Sequence, residues 1–207
     1  MVRRKRRSGT ILLLTLIALS VLLFAVVRLR LSPMIHELAT TRVSNEASFA
    51  INRSIIRQIE EGNIAYDRIV LLEKDANGTI TAIKTNMAEV NMMKTTVLSM
   101  VDEEVLEISV SEIGIPLGNL LLPEFLSGKG PMLPVQILAV STSDASFISN
   151  FSEAGINQTL HRIFLSVEVT MSVLTPMGAQ TVTTQSQVLV AETVIVGAVP
   201  QTYWKVD

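Results

Sequence analysis

The chain contains no cysteine, which excludes a disulfide scaffold, a thiolate metal site, a cysteine nucleophile and a lipid-modified cysteine after the first apolar run. Its two histidines, His36 and His161, are too few and too far apart in sequence for a histidine-built zinc centre. Aromatic residues make up 4% of the chain and leave few platforms for stacking sugars or bases. With 17 Lys+Arg against 19 Asp+Glu, the net charge of −2 excludes a generally basic nucleic-acid binder. No H-E-x-x-H, G-x-S-x-G or phosphate-binding glycine loop occurs. Gly128-Lys129-Gly130-Pro131 has the glycines and the lysine of an anion loop, but Pro131 lacks a backbone donor and no helix-start signal follows.

What is present is unevenly placed. Seven of the basic residues fall in the first 30 positions, where there is no acid, so residues 31–207 carry a net charge of −9. Arg3, Arg4, Lys5, Arg6 and Arg7 precede an apolar run from Ile11 to Val27 interrupted only by Thr15 and Ser20. Seventeen residues of helix span roughly 25 Å, and neighbours on either side extend this across a bilayer. Ile11, Leu14, Leu19, Leu23 and Val27 are the anchor residues of a transmembrane helix. The five leading cations outnumber Arg28 and Arg30 beyond the run, which places the N-terminus in the cytoplasm and the body outside. Ala18-Leu19-Ser20 offers a small-x-small cleavage triplet, but cutting there leaves a greasy new end, and the run exceeds an ordinary signal-peptide core. An uncleaved anchor is the expectation.

After the anchor, Ser32-Pro33 signals a helix start, with a kink at Pro33 if the two helices are continuous. Ile35, Leu38, Val43, Ala47, Ile51, Ile55 and Ile59 form an apolar stripe that Gly62 ends. A hairpin follows: strand Arg68–Glu73, turn Asp75-Ala76-Asn77-Gly78, strand Thr79–Lys84. The turn lacks the later oxygen ligands of a calcium loop. A second helix opens at Asn86 with Glu89 as capping-box partner, and Val90, Met93, Val97, Val101 and Val105 are its core stripe. From Leu106 the pattern alternates, giving a strand through Leu106, Ile108 and Val110. Strands are expected at Val135–Val140, Leu160–Leu174, Gln180–Val190 and Glu192–Val199, with a hairpin turn at Pro176-Met177-Gly178. Only seven charges lie between Gly130 and Asp207. Such a sheet is covered by helices or by other subunits.

Candidates for chemistry are thin. His161 opens a strand and reads as a surface or satisfied polar residue. The methionines Met87, Met92, Met93 and Met100 read as adaptable core filling. Asp102, Glu103, Glu104 and Glu107 crowd a helix end and read as a solvated face, although paired carboxylates such as Glu103, Glu107 or Glu112 are what a cell-wall hydrolase would use. Tyr203-Trp204 is the one aromatic pair, suited to closing the core or touching a membrane or partner.

Four ordered words carry a resemblance: Ile115-Pro116-Leu117-Gly118, Gly130-Pro131-x-x-Pro134-Val135, Gly155-Ile156-Asn157-Gln158-Thr159 and Val199-Pro200-Gln201-x-Tyr203. With the N-terminal anchor, the chain resembles the YunB family of sporulation proteins, most strongly from Glu112 to Tyr203. The resemblance implies a protein made in the mother cell and needed for proper spore formation. It implies no catalytic residues, so the chain is expected not to be an enzyme, with no cofactor and no metal. Pro116, Gly118, Gly130, Pro131, Pro134, Gly155, Asn157, Pro200 and Tyr203 are read as shape-setting: glycines for turns, prolines for fixed backbone angles.

The expected fold is α+β, an N-terminal transmembrane helix followed by amphipathic helices packed on a mainly antiparallel sheet. Residues 1–10 form a basic cytoplasmic tail, 11–31 the anchor, 32–62 a juxtamembrane amphipathic helix and 63–207 an extracytoplasmic domain. The expected function is a non-catalytic binding or assembly module in the mother-cell membrane around the forespore. Its expected partners are that membrane and a second copy or other sporulation membrane proteins, and not nucleic acid. The alternatives are a carboxylate-using cortex hydrolase and a ring or secretion-channel component.

Overall fold

The computed structural model describes residues 2–78, 80–108, 113–121, 123–155 and 157–197, with the backbone alone for residues 2–10 and 27. It is an α+β chain. Helix α1 (Val2–Val26), a π-helical turn (Val27–Leu31) and helix α2 (Ser32–Glu60) form one continuous helical run. Ser32-Pro33 opens α2 as expected, in the continuous form, with the irregularity taken up by the π-helical turn before Pro33. Pro33 has no N–H for the Leu29 carbonyl, and its ring crowds that carbonyl; widening the preceding turn accommodates both. Side chains from Ile11 to Phe24 are exposed all round the helix, and the stretch is long and apolar enough to cross a membrane.

Along α2 the buried face is Ile35, Ala39, Val43, Ala47, Ala50, Ile51 and Ile55, while Leu38 and Ile59 are half-buried. The helix ends at a glycine in the left-handed region, Gly62 at φ +73. The Gly62 N–H donates to Ile59 O and the Asn63 N–H to Gln58 O, both at 3.0 Å. This paired closure satisfies carbonyls that the helix end would otherwise strand.

By packing, the chain divides into two units. The first comprises Met1–Val43, Ser109–Gln136 and Val173–Gln180. In it, β3 (Ile115–Pro116) pairs antiparallel with β4 (Met132–Leu133), and the short helices α5 (Gly118–Leu121) and α6 (Pro123–Leu126) fill the connection. The Leu117 N–H donates to Pro131 O and the Gly118 N–H to Lys129 O, so the Gly/Pro-rich stretch folds back on itself. Ile113, Ile115, Leu120, Val135 and Val173 are buried here.

The second unit comprises Ser44–Ile108, Ile137–Ser172 and Thr181–Asp207. Helix α3 (Tyr66–Ile69) leads into β1 (Val70–Lys74), which pairs antiparallel with β2 (Ile80–Thr85). Their turn is the expected one: the Asn77 N–H donates to Asp75 Oδ1 and the Gly78 N–H to Asp75 O. Helix α4 (Met87–Leu106) opens on Asn86, whose Oδ1 accepts from the Glu89 N–H. The capping box is only half made, because the Glu89 carboxylate pairs with Arg68 at 3.0 Å. Val90, Met93, Val97, Val101 and Val105 are all buried, as their spacing required. Each contributes roughly 1.5–3 kcal/mol by leaving water.

Three long strands, β5 (Gln136–Gly155), β6 (Gln158–Thr175) and β7 (Gly178–Val196), form an antiparallel sheet in the order β5-β6-β7. Strand β6 is central and alternates, with His161, Ile163, Leu165, Val167, Val169, Met171 and Val173 buried and Ser166 the one buried residue of the other face. In the second unit, α2 reaches β7 through Ser44–Thr184 and Asn52–Ser186 hydrogen bonds, and α4 reaches β5 through Asp102–Ser143. The opposite face carries polar cross-strand pairs, Arg162–Glu192 and Thr170–Thr183.

Three strand expectations need correction. Leu106 closes α4 rather than starting a strand, because α4's own apolar stripe continues to Val105; Val110 lies outside the described residues. The strand expected to end at Val140 runs on to Gly155, held by pairing with β6 although its sequence turns polar. The two strands expected at Gln180–Val190 and Glu192–Val199 are the single strand β7, with residues 198–199 outside the described ones.

Candidate functional site

The described residue with the richest chemistry is His161. It sits on β6 with 2% exposure, in the register of the core valines. Its Nδ1 lies 2.8 Å from the Tyr66 hydroxyl of α3, and its Nε2 lies 2.6 Å from Ser149 Oγ of β5. Phe151 stacks on the ring at 4.2 Å between centroids, and Tyr66 meets it edge-on at 5.5 Å. Both ring nitrogens are thereby bonded to hydroxyls, which is what a buried imidazole requires. Burial pushes the His161 pKa below its ordinary 6.5 and the Tyr66 pKa above its ordinary 10.0. The imidazole is neutral at pH 7, as is the phenol.

That shift has a sign. The folded state resists protonating His161, while the unfolded chain takes the proton near pH 6.5, so the unfolded state binds more protons just below that value. The contribution is complete above about pH 6.5 and is lost as pH falls from there toward the depressed folded value. Thermal melts at pH 7.5 and 5.5 will show wild type losing more stability on acidification than H161Q.

Phe151 also lines a groove of about 350 Å³ with Ile80, Thr81, Ala82, Ile83, Thr159 and Ile195. A second hollow, about 200 Å³, is lined by Gln58, Asn63, Ile64, Arg68, Met92, Met93, Thr96 and Val97. No carboxylate among the described residues lines either one. Glu103 is exposed on α4 and Glu107 at its C-cap, and Glu112 lies outside the described residues. The acidic helix end is only partly a solvated face. Glu104 receives Arg53 at 3.1 Å and Arg57 at 3.5 Å, and Asp102 accepts from Ser143. No group of three or more potential metal ligands occurs among the described residues.

The shape-setting residues fall into distinct roles. Pro116 is buried in β3, the Pro131 carbonyl accepts from Leu117, and Pro134 is exposed. Gly130 has φ +97 at a turn. Gly118 is there for space rather than turning: a Cβ on it would stand 1.9 Å from Leu126 O. Asn157 holds the strand ends together, its Nδ2 donating to Gly197 O at 3.0 Å while its carbonyl accepts from the Gly197 N–H at 2.7 Å. Gly155 lies at the β5–β6 hairpin. Pro200 and Tyr203 lie outside the described residues, as do the side chains of Arg3, Arg4, Lys5, Arg6, Arg7 and Val27. Ile11, Leu14, Leu19 and Leu23 are between 62% and 67% exposed on α1.

Residues 112–202, covering the β3–β4 connection and all three long strands, match the model of sporulation protein YunB. The matching family is YunB. The sporulation protein YunB of Bacillus subtilis (strain 168) is 28% identical over 179 residues, covering 82% of this chain and 69% of that protein. No solved structure matches the chain. The YunB match encloses Ser149, Phe151, Asn157 and His161, and leaves Tyr66 and the β1–β2 hairpin to the N-terminal side. Sequence reasoning passed over Ser149 and Tyr66, which stand 12 and 95 residues from His161. The one available signal was parity, since His161 shares the odd-numbered register of Ile163, Leu165 and Val167.

Proposed function

We propose that this chain is a sporulation protein held in the mother-cell membrane by α1, whose extracytoplasmic portion acts as a binding and assembly module built on strand edges. Its likeness to YunB supports the sporulation role. The apolar run of α1, with five cations before it and two after, supports the anchor and its orientation.

The observation that carries assembly is the state of the sheet edges. Strands β5 and β7, 20 and 19 residues long, flank β6, and no further strand pairs with either among the described residues. Neither contains a lysine, an arginine or a proline, and their only charges are Asp144 and Glu153 on β5 and Glu192 on β7, so the devices that blunt a free edge are sparse. The outer face beside them, whose charges are Glu168 and the Arg162–Glu192 pair, suits water-exposed protein surface that another copy later covers. A head-to-tail contact of β5 on β7 would propagate into a ring if its rotation closes, which is the sense in which the channel-component alternative survives.

The full chain purified in detergent is expected to run as an oligomer by light scattering. T142K/S146K, two exposed positions on β5, is expected to yield monomers with unchanged secondary structure. A wild-type protein that stays monomeric across concentration would remove the reading.

A further inference from the structure

We propose that Ser149 is a nucleophile activated by His161, with Tyr66 as positioning residue, and that the site takes acyl groups from uncharged carboxylic esters. This goes beyond the assembly reading and departs from the expectation of an inert outer domain. An activated hydroxyl is recognised by a base within hydrogen-bond reach and a third group that orients the base. Here Ser149 Oγ is 2.6 Å from Nε2 and the Tyr66 hydroxyl is 2.8 Å from Nδ1. Ser149 is exposed on β5 while its base is buried, so substrate reaches the nucleophile, and the imidazole is open only on the side of Ser149 Oγ. A neutral imidazole at pH 7 is the form that accepts a proton.

The groove supplies the rest. Two of its lining residues are the same-face neighbours of the reacting pair: Phe151 is two residues from Ser149, and Thr159 is two from His161. Ile80, Ala82, Ile83 and Ile195 add apolar surface, Thr81 and Thr159 add hydroxyls, and no charged residue among the described ones lines the groove, which fits an uncharged ester with a short acyl chain.

In the step, Nδ1–H donates to the Tyr66 oxygen and Nε2 accepts the Ser149 proton as Oγ bonds to the ester carbonyl carbon. The tetrahedral intermediate collapses by breaking the bond to the alcohol oxygen, which leaves with the proton from Nε2. Water then attacks the acyl-serine, gives its proton to the same nitrogen, and releases the carboxylic acid while Ser149 Oγ regains a proton.

The test uses the full chain in detergent with p-nitrophenyl butyrate and a fluorophosphonate probe. Wild type is expected to hydrolyse the ester and to be labelled on Ser149, with a rate that rises with pH through a single ionisation below 6.5. S149A should keep the wild-type melt and lose labelling. H161Q should slow it about 100-fold or more. Y66F should remain labelled but slower, because the two imidazole tautomers then compete. If H161Q fails to fold, the wild-type pH profile and Y66F decide the matter. Folded wild type that neither turns over the ester nor labels, or labelling that persists in S149A, overturns the proposal whatever its oligomeric state.

Discussion

Replacing Gly118 by alanine lowers the melting temperature of the chain by about 6–12 °C, corresponding to about 3 kcal/mol at the upper end of ordinary overpacking. The added Cβ would stand 1.9 Å from Leu126 O, 2.6 Å from Lys129 O and 2.9 Å from the Leu126 carbonyl carbon. All three are backbone atoms, so no side chain can swing aside to relieve the contact. Making room pushes the Leu126 and Lys129 carbonyls away and so strains the Gly118 N–H to Lys129 O bond that closes the fold-back of residues 117–131. Gly128→Ala is the control. Its Cβ meets nothing within 4 Å, and its cost comes only from a backbone at φ +73, about 1–2 kcal/mol. Differential scanning of both variants separates the two reasons for glycine. A Gly118→Ala protein that melts no lower than Gly128→Ala would mean that the connection does not pack in this way.

How far the sequence announces this fold depends on whether the deciding force is local. Helix α4 is legible because its information is periodic: five apolar residues at three- or four-residue spacing, an asparagine at the cap, and every stripe residue buried. The alanines of α2, Ala39 and Ala50, are buried but silent, since alanine suits either face of a helix. Strand β5 is illegible beyond Val140 because Ser141–Glu153 scatters its strand formers, Thr142, Phe147, Ile148 and Phe151, among five serines, Asp144 and Asn150 without clean alternation, and its extended state is imposed by β6. Ser32-Pro33 carries a true signal with two outcomes, a fresh helix or a widened turn. The local residues do not choose between them. The same limit hides the His161 cluster, whose members meet only once α3, β5 and β6 are in place, although the buried register of β6 was readable.

Placing arginines in the apolar run, L14R with L19R, is expected to move the chain out of carbonate-resistant membranes into the soluble or aggregated fraction. Each costs about 2.5–3.5 kcal/mol near a bilayer centre, so the pair costs about 5–7 kcal/mol. The control is F49R, a replacement on α2 where Phe49 is already 61% exposed; the anchor reading requires it to leave the distribution unchanged. The contrast has force because the run presents apolar side chains on every face, with Leu12, Leu13, Leu14 and Leu16 each more than 60% exposed. A soluble helix hides one stripe and shows the other, and arginines would then be tolerated on the solvent side. A helix that is apolar all round and uncovered by the other described residues is what the proposed anchor requires, and the five cations ahead of it suit the proposed orientation. Membrane retention of the double variant equal to wild type would refute the anchor.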